Sequence, residues 1–438
     1  MPVSTFHGLN TSLRGLLAHQ RAIDVTGHNV ANADTVGYSR QEASLGTSQP
    51  LSIAAGGSLT GAPAMLGSGV GVEDYRRIRD GFLDLQYRAQ NMKLGEQETL
   101  SRSLDQLEFA FQEPGDNGLN TLLSKYWSAW SDVANNPSEA APRNALVEQG
   151  KSLAGAFKQL DAQLATVGSQ AASDLASITA AGGQVQGLAH QVADLNAQIA
   201  KAISVGYVPN DLMDRRDNVL DELSGLAQIS VTELPSGSLN VAFGDAGVAL
   251  VADTTVTWPQ TLTSPGGKIG ALIDVSKASG YAAQYRTELS TVAKLLADNV
   301  NALHTPAFFT YTAGSEASTL AVAIAPGALV PGSSGAPGGN DIALAVARLQ
   351  GGAADDRYVA FVAQVGQQVS DVRRQEANAR ALTGSVDERR LETSGVSLDE
   401  EMTNLIRFQR GFQASARTMS TFDEMLDTLI NRTGRVGL

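Results

Sequence analysis

Residues 153–202, LAGAFKQLDAQLATVGSQAASDLASITAAGGQVQGLAHQVADLNAQIAKA, contain the strongest pattern in this sequence. Apolar residues recur there every seven positions, and a second apolar series follows at the companion heptad position. A heptad repeat sustained over this length predicts long helices that pack side by side with a left-handed twist. An unbroken helix would be about 75 Å long, although Gly182-Gly183 weaken it near the middle, where it can bend. The first series is Phe157, Leu164, Ala171, Ile178, Val185, Val192 and Ile199.

Shorter stretches with helical spacing lie on either side of this segment. Apolar residues at three- and four-residue intervals predict helices within residues 119–133, 285–303 and 358–372. Each of these helices can bury one face in a bundle. By themselves, these patterns indicate an elongated helical domain and say nothing about activity.

Three other parts of the chain have a different composition. Residues 229–275 alternate apolar and polar positions between turn signals such as Pro235-Ser236-Gly237, which predicts a β-rich insertion. Residues 40–78, rich in Gly, Ser and Thr, predict short strands or an extended arm. Residues 306–340, rich in Pro and Gly, are expected to form a loop that flanks or completes the β-rich part. The predicted fold class is mainly α with a β-rich insertion, in an elongated multi-domain chain with a long helical bundle or coiled-coil core.

The composition excludes several classes of function. At ~100–200 residues per domain, 438 residues suffice for roughly two to four domains. The chain has 32 basic and 45 acidic residues, a formal net charge of −13, and no Lys/Arg cluster of the kind that forms a basic face, so we expect no nucleic-acid partner. Without Cys it can form no disulfide or thiolate metal site. We also expect no membrane segment and no cleaved signal peptide, because neither a long apolar run nor a secretory leader pattern occurs.

Both ends of the chain carry a narrow apolar stripe with heptad spacing. Each stripe predicts one amphipathic helix of roughly 25–35 residues. Burial of a large side chain contributes about 1.5–3 kcal/mol, and ordering costs about 1–2 kcal/mol per residue, so a lone helix of this kind gains little. We therefore expect these helices to pair with each other or with neighbouring subunits; the alternative is that they complete the bundle of one chain. The predicted subunit-interface residues are Phe6, Leu9, Leu13, Leu16, Ile23, Val30, Leu398, Leu405, Phe408, Phe412, Met419, Phe422, Leu426 and Leu429.

These patterns predict three domains. The first is a terminal helical coiled-coil domain, and the second is an elongated helical bundle that carries the β-rich arm. The third is a small outer β-rich domain. The predicted terminal domain comprises residues 1–35 and 398–438. The predicted bundle domain comprises residues 36–228 and 276–397, with the arm near 40–78. The predicted outer domain comprises residues 229–275, with 306–340 as an optional part.

Three segments resemble a known family. Residues 27–41 read GHNVANADTVGYSRQ, residues 210–223 read NDLMDRRDNVLDEL, and residues 395–414 read GVSLDEEMTNLIRFQRGFQA. In the first, Asn32 and Asp34 can satisfy backbone groups at a helix end, and Gly37 permits a conformation that other residues resist. The first and last segments resemble the signature of rod, hook and hook-associated proteins of the bacterial flagellum.

The continuation Tyr38-Ser39-Arg40-Gln41 and the central segment resemble the FlgK family of hook-associated proteins in particular. The resemblance covers nearly the whole chain except residues 229–275 and 305–340, and the tail 431–438 runs beyond the usual end of the family. The motif residues that carry it are Asn29, Asn32, Thr35, Gly37, Tyr38, Arg40, Asn210, Asp211, Arg215 and Asp217.

The resemblance implies a structural subunit of the hook–filament junction. Such subunits form a ring at the distal end of the hook, with hook protein below and a second hook–filament junction protein above. Their terminal helices line the inner tube, the bundle forms the next shell, and the β-rich insertion faces outward. The family is secreted through the flagellar type III export channel, and an export chaperone holds the C-terminal helix beforehand. The implied location is therefore extracellular, in the flagellum.

No pattern of catalytic, cofactor-binding or metal-binding residues stands out, so we expect neither an enzyme nor a cofactor. The carboxylates of Asp211, Asp214, Asp217 and Asp221 suggest Ca²⁺ binding at first sight, but the Gly and terminal Glu of an EF-hand loop are missing. We interpret them as helix-start charges paired with the neighbouring Arg215 and Arg216. His190 and His304 are isolated, which is typical of surface or core residues.

Three alternatives to a junction subunit remain at this point. A hook or distal-rod subunit shares the motifs of the two ends and would form a longer homopolymer. An enzyme embedded in an axial protein would need a catalytic motif in the variable insertion. A coiled-coil secreted protein unrelated to the flagellum would be absent from purified hook–basal bodies.

Overall fold

The two ends of the chain meet in an antiparallel pair of helices, the terminal pair. The computed structural model describes residues 6–53, 64–115, 118–334 and 338–432. The terminal pair consists of α1 (His7–Ala31) and α12 (Leu398–Asp427). A π-helical turn, Thr428–Arg432, extends α12, and residues 433–438 of the predicted tail lie outside the described part.

A bundle of long helices forms the body of the molecule. Two of its long members, α2 and α11, lie side by side and antiparallel, because Arg373 contacts Asp105 at 2.9 Å near one end and Arg390 lies 3.8 Å from Asp84 near the other. The helices predicted within 119–133, 285–303 and 358–372 are confirmed as parts of α3, α8 and α11. The bounds are α2 (Gly81–Phe111), α3 (Leu119–Asn135), α4 (Ala140–Thr179), α5 (Gln184–Ser204), α6 (Asn210–Leu226), α7 (Gly267–Ser276), α8 (Tyr281–Leu303), α9 (Glu316–Thr319), α10 (Asp341–Ala347) and α11 (Ala353–Ser394).

The long heptad segment forms two helices instead of one. Helix α4 ends at Thr179, and α5 begins at Gln184 after a turn in which Gly182 has a φ of +79°. Only glycine adopts that conformation without strain, so the weak point in the pattern is a break between two helices and not a bend within one. Helix α4 then packs against α3, α7 and α8, whereas α5 packs against α6 and the small sheet.

The predicted β-rich insertion is a four-stranded antiparallel sheet followed by a helix. Its strands are adjacent in chain order, with Val231 opposite Val241. The end of the predicted β segment is helix α7, whose buried residues Ile269, Leu272 and Val275 recur at three-residue intervals. Short apolar runs of this kind do not distinguish strand from helix. The strands are β5 (Ile229–Glu233), β6 (Leu239–Phe243), β7 (Val251–Ala252) and β8 (Thr255–Val256).

The arm predicted near residues 40–78 is made of two strand pairs. Strand β1 (Gln41–Thr47) pairs with β4 (Val70–Arg77), and β2 (Leu51–Ile53) pairs with β3 (Ala64–Leu66). The arm lies along α1, since Arg14 Nη1 donates to Ser68 Oγ at 3.2 Å.

The Pro- and Gly-rich segment forms its own small hairpin. Strand β9 (Phe309–Thr310) pairs with β10 (Ala321–Val322), and in the described part of the chain neither strand joins the sheet β5–β8. A 3₁₀ turn at Pro326–Ala328 follows.

One hydrophobic core runs through the bundle and includes the inner side of the sheet. It consists mostly of Leu, Val, Ala and Ile, and its largest aromatic group joins α3 to the β9 region. There Tyr126 and Trp130 pack against Phe308 and Phe309, with ring centroids 5.4–5.7 Å apart across the two segments. The fold class is confirmed as mainly α with a β-rich insertion on an elongated helical core. Among the described helices, we find none with the length and apolar character to cross a bilayer.

Candidate subunit interface and its joint to the body

Small residues of α1 form its contact with α12. The buried positions of α1 are Ser12, Gly15, Ala18, Ala22, Thr26 and Asn29. A Cβ on Gly8 would lie 2.4 Å from the Phe422 ring, and one on Gly15 would lie 2.9 Å from Ser415 Oγ. These glycines therefore let the two helices approach closely.

Predicted interface residues of α12 face this contact. Phe422 packs beside Gly8, and the Phe408 ring lies 6.3 Å from that of His19. The heptad row next to that of Phe408 and Phe422 is half-buried. It contains Leu405, Phe412, Met419 and Leu426. At the two ends of the helix, Leu398 and Leu429 are exposed.

The predicted interface residues of α1 lie elsewhere on that helix. Leu9, Leu16 and Ile23 are half-buried, and Leu13 and Val30 are 37% and 39% exposed. They occupy heptad positions beside the small-residue face that packs on α12. Phe6, just before the helix, is also exposed. A single chain thus pairs its ends through one face of α1 and leaves the apolar stripe on another face.

The motif residues at the end of α1 form a joint between the terminal pair and the body. Asn29 Nδ2 donates to Glu401 Oε2 at 3.1 Å and to the Gln41 carbonyl at 2.9 Å. Asn29 Oδ1 accepts from the Tyr38 hydroxyl at 2.7 Å and from the Gln41 amide at 3.0 Å. Arg40 Nε donates to Glu401 Oε1 at 2.7 Å. One amide and one carboxylate therefore connect α1, the following loop and α12.

Burial and charge keep the Tyr38 hydroxyl protonated. Burial raises the pKa of Tyr38 above its ordinary value, and the negative charges of Asp211, Asp214 and Glu401 raise it further. The hydroxyl therefore remains a hydrogen-bond donor to Asn29 at all physiological pH values.

The turn after α1 uses several of the predicted residues. Asn32 Nδ2 donates to the His28 carbonyl at 3.0 Å, and Thr35 Oγ1 donates to Asn32 Oδ1 at 3.3 Å. Gly37 has a φ of +75°, and a Cβ there would collide with the Asn218 side chain. The expectation for Asp34 is wrong: it is exposed and makes no bond to the helix end within the described residues.

The central motif supplies the other side of the joint. Asn210 Nδ2 donates to the Tyr75 carbonyl at 3.0 Å, and Asp211 Oδ1 accepts from Gln41 Nε2 at 2.8 Å. Asp214 Oδ2 accepts from the Ser39 amide at 3.0 Å. The start of α6 is thus tied to the arm and to the loop after α1.

The acidic residues of α6 are paired with arginines, as predicted, but the partners differ. Arg77 Nη1 lies 2.9 Å from both Asp214 and Asp217, and Arg88 lies 3.2 Å from Asp217. Asp221 pairs with Arg88 at 2.9 Å and with Arg390 at 2.6 Å.

Arg215 and Arg216, which we expected to pair with the carboxylates of α6, do not do so among the described residues. Arg216 is buried and donates to Asn196 Oδ1 at 3.0 Å and to the Gly237 carbonyl at 2.7 Å. Arg215 is exposed and forms no ion pair in the described part. The arginines that do pair with these carboxylates lie far away in sequence, so spacing around α6 could not identify them. The sequence signal for one of them was the basic run Arg76-Arg77-Ile78-Arg79 at the end of the arm, which contains Arg77.

Asp217 lies at the centre of this ion-pair network. Burial alone would raise its pKa, but Arg79, Arg77 and Arg88 together hold the pKa of Asp217 below its ordinary value. The side chain is therefore ionised under physiological conditions. In the described residues we find no cluster of three or more His, Asp or Glu with metal-ligand geometry.

Three family models match separate parts of the chain. Residues 104–263 match the flagellar hook-associated protein FlgK helical domain. Residues 388–432 match the flagellar basal body rod FlgEFG protein C-terminal model, and residues 9–38 match the flagella basal body rod protein model. Flagellar hook-associated protein 1 of Bacillus subtilis is 29% identical over 98% of this chain and 99% of the relative. The chain is similar to hook-associated proteins of the FlgK family over nearly its whole length.

Other FlgK-type proteins align less completely. Flagellar hook-associated protein 1 of Salmonella typhimurium is 27% identical over 68% of this chain and 57% of that relative. The solved structure of the flagellar hook junction protein FlgK from Burkholderia pseudomallei has a TM-score of 0.44 and 23% identity, covering 50% of this chain and 43% of that chain.

This similarity to FlgK-type proteins places the chain in the flagellum, among hook components. The rod models match only the two ends, which contain the terminal pair and most of the joint. The FlgK helical-domain model matches the part of the body from the end of α2 to the sheet β5–β8, including the ion-paired helix α6. The terminal pair is thus the part similar to axial proteins in general, and the body carries the likeness specific to the FlgK family.

Proposed function

We propose that this chain is a structural subunit of the hook–filament junction, which assembles at the distal end of the hook and adapts the hook to the filament. The observation that carries the proposal is the apolar stripe of α1. It lies beside the face that packs on α12 and includes the exposed Leu13 and Val30. Covering each large apolar side chain contributes about 1.5–3 kcal/mol, and α12 already occupies the small-residue face.

The cover for this stripe is another copy of the chain. Helix α12 also exposes apolar side chains at its start, Leu398, Met402 and Ile406. Two exposed apolar surfaces on one helix pair fit a ring in which each terminal pair packs between two others. The predicted interface residues therefore divide into those that join α1 to α12 and those that join neighbours.

The remaining partners follow from the family. We assign hook protein below the ring, a second hook–filament junction protein above it, and a flagellar export chaperone that holds α12 before secretion. Secretion through the type III flagellar export channel places the assembled protein outside the cell. In this arrangement the terminal pair lines the inner tube, the bundle surrounds it, and the sheet β5–β8 faces outward.

The role we propose is architectural, with no catalytic step and no cofactor. The joint supports an architectural role, because its buried polar groups are hydrogen-bonded to one another and connect separate segments of the chain. The three-domain division at 1–35 with 398–438, 36–228 with 276–397, and 229–275 is part of the proposal. The hydrophobic core is continuous between the sheet β5–β8 and the bundle, so the domain at 229–275 packs directly on the bundle.

Deletion of the gene tests the role, and a substitution tests the surface. Cells without the gene should build hooks without filaments and shed flagellin into the medium. In such cells, Leu13→Asp should fail to restore filaments although the purified variant unfolds at the wild-type temperature. Asn10→Asp places the same charge on an exposed part of the same helix without removing an apolar side chain, and it should restore filaments.

The test also separates the alternative function. A hook or distal-rod subunit is favoured by the rod-type models at both ends. Deletion of such a subunit would leave cells without complete hooks, and its purified form would build long homopolymers. Either result would refute the junction role.

A further inference from the structure

One side of α12 carries an exposed apolar row. Leu398, Met402 and Ile406 follow one another at four-residue intervals along the start of the helix, and they are 53%, 51% and 47% exposed. Glu401 of the same helix is buried and bonded to Asn29 of α1. Met402 follows Glu401 by one residue, a rotation of about 100° around the helix, so the apolar row lies to one side of the contact with α1.

The other side of α12 borders a cleft beneath the arm, the arm cleft. Phe408 packs near the His19 ring of α1, and Arg407 precedes it by one residue, so Arg407 lies about 100° around the helix in the opposite sense. There Arg407 shares a cleft of about 180 Å³ with residues of α1 such as Val25 and of β1 such as Leu45. The arm cleft and the apolar row thus lie on opposite sides of the same helix.

The interior of the arm cleft suits an apolar side chain. The carboxylates that line it are already paired, Glu401 with Arg40 at 2.7 Å and Glu42 with Arg76 at 2.8 Å. Arg407 lies over the Phe408 ring, 4.8 Å from its centroid. Apolar cavities of about 150 Å³ are large enough for a benzene ring, so the cleft has room for one side chain. Its apolar lining consists of Ala22, Val25, Ala43, Leu45 and Phe408.

The apolar row and the arm cleft lie at the same level of the terminal pair. The residues of α12 that line the cleft fall within 401–408, and Met402 belongs to that span. Two terminal pairs placed side by side therefore bring Met402 of one copy to the cleft of the next without an axial offset. A contact between two different surfaces can repeat around a closed ring, whereas a contact between two like surfaces stops at a dimer.

We propose that the arm cleft of one subunit receives the Met402 side chain of a second copy of this chain. The proposal rests on the junction role proposed above and specifies which surface of one subunit meets which surface of the next. The occupant is a second copy because the terminal pair supplies both members of the contact, on opposite sides and at one level. Each subunit inserts Met402 into one neighbour and receives the Met402 of the other.

The chemistry of the inserted side agrees with this contact. Methionine is unbranched and has a polarizable thioether, so it fills irregular spaces and packs well beside an aromatic ring such as Phe408. The next residues on the side of Met402, Ile406, Gln409 and Gln413, are uncharged. Insertion therefore buries no unpaired charge, which would oppose the contact.

Cysteine cross-linking tests the contact directly, because the natural chain contains no Cys. A disulfide needs Cα atoms within about 7 Å of each other. In flagella isolated from cells and then oxidised, Met402→Cys with Val25→Cys should link subunit to subunit and give multimers on a denaturing gel. Met425→Cys with Val25→Cys is the control and should give none. Met425 is 55% exposed but lies about 35 Å from Met402 along α12.

Substitution of Met402 provides the second arm. Met402→Asp should lower the amount of protein incorporated into flagella at least tenfold, whereas Met402→Leu should leave it unchanged. Leu382→Asp places the same charge at an apolar position of α11 that is 56% exposed, and it should have no effect. As purified monomers, all three variants should unfold at the wild-type temperature, because both positions are exposed to solvent.

The outcomes separate this contact from the junction role. Multimers from Met402→Cys alone would show two like rows in contact. That result, linkage in the Met425 control, no linkage between positions 25 and 402, or normal incorporation of Met402→Asp would overturn the contact and leave the junction role standing. Absence of the unmodified protein from isolated flagella would overturn both.

Discussion

Asn29 and Glu401 are hydrogen-bonded at 3.1 Å although 372 positions separate them in sequence. The Glu401 side chain is 2% exposed and also accepts from Arg40 Nε at 2.7 Å. A buried carboxylate with two donors is stable only when both donors are in place. This contact therefore fixes how the end of α1 meets the start of α12 and, through Arg40, how both meet the body.

Glu401→Gln should loosen this joint. The substitution removes the charge that Arg40 Nε contacts, and an unsatisfied buried donor costs about 1–3 kcal/mol. We expect amide hydrogen exchange to become at least tenfold faster in α1 and α12 and to remain unchanged in α3 and α8. The control is Glu400→Gln, because Glu400 contacts the same arginine but its side chain is 62% exposed, and exposed pairs contribute at most about 1 kcal/mol. Equal effects of the two substitutions would contradict the assignment.

Much of the fold could be predicted from apolar spacing, because long helices repeat the same requirement many times. The apolar spacing predicted α3, α8, α11 and the two terminal helices. It could not show that α4 and α5 are separate, because the heptad frame continues across the turn. That break depends on the backbone at Gly182 and on which partners each helix meets, and neither is a periodic property.

The site was predictable in its residues but not in its contacts. The leucine stripe of α1 was expected to pack on the other terminal helix or on a neighbouring subunit, and within one chain the smaller residues make the contact with α12. Gly8 leaves room for the Phe422 ring, so α1 and α12 can approach closely where the small residues of α1 face α12. Likewise, the carboxylates of α6 signalled ion pairs, but Arg77 and Arg88 come from segments that no local spacing connects to them.

Gly95→Ala should destabilise the body. A Cβ at this position would lie 2.3 Å from the carbonyl oxygen of Gly225 in α6. Backbone atoms cannot move aside as a side chain can, so α2 and α6 must separate, at a cost of about 1–3 kcal/mol or more. Urea unfolding should show the corresponding fall in the free energy of unfolding.

Gly155→Ala is the matched control. It lies in the middle of α4 with no atom within 4 Å of the added Cβ. Alanine is a better helix former than glycine by roughly 0.5–1 kcal/mol, so this variant should be slightly more stable than the wild type. Destabilisation by both variants would show that the α2–α6 contact is not the cause.

His304 should make the body less stable in mild acid. It is fully buried, donates from Nδ1 to the Pro306 carbonyl at 2.6 Å, and accepts at Nε2 from the Val330 amide at 3.0 Å. Burial lowers its pKa, although the Pro306 carbonyl opposes this. The folded chain therefore stays neutral at His304 while the unfolded chain takes up a proton near pH 6.5, so stability falls as the pH drops below about 6.5.

Two measurements check this pH dependence. An NMR titration should show the His304 ring of the folded chain still neutral at pH values where the same ring takes up a proton in the unfolded chain. The free energy of unfolding should decrease from pH 7.5 to 5.5, and His190→Gln should leave that decrease unchanged. A His304 ring that titrates at the same pH in the folded and the unfolded chain would disprove the buried, neutral assignment.

Phe412→Asp and Leu13→Asp should separate the two contact surfaces of the terminal pair. Phe412 is half-buried on the heptad row of α12 that packs against α1, whereas Leu13 lies on the outward stripe of α1. A carboxylate at 412 meets the neighbouring helix and is poorly solvated there. That variant should lose protection from hydrogen exchange in α1 and α12 as a monomer, keep a folded body, and fail to enter flagella.

Leu13→Asp should fail to enter flagella for a different reason. Its charge lies in water in the monomer and is buried only when a neighbour covers the stripe, so protection of α1 and α12 should match the wild type in dilute solution. If Leu13→Asp instead exposes both helices, the stripe belongs to the contact within one chain. If Phe412→Asp leaves them protected, the row containing Phe412 does not hold the pair together.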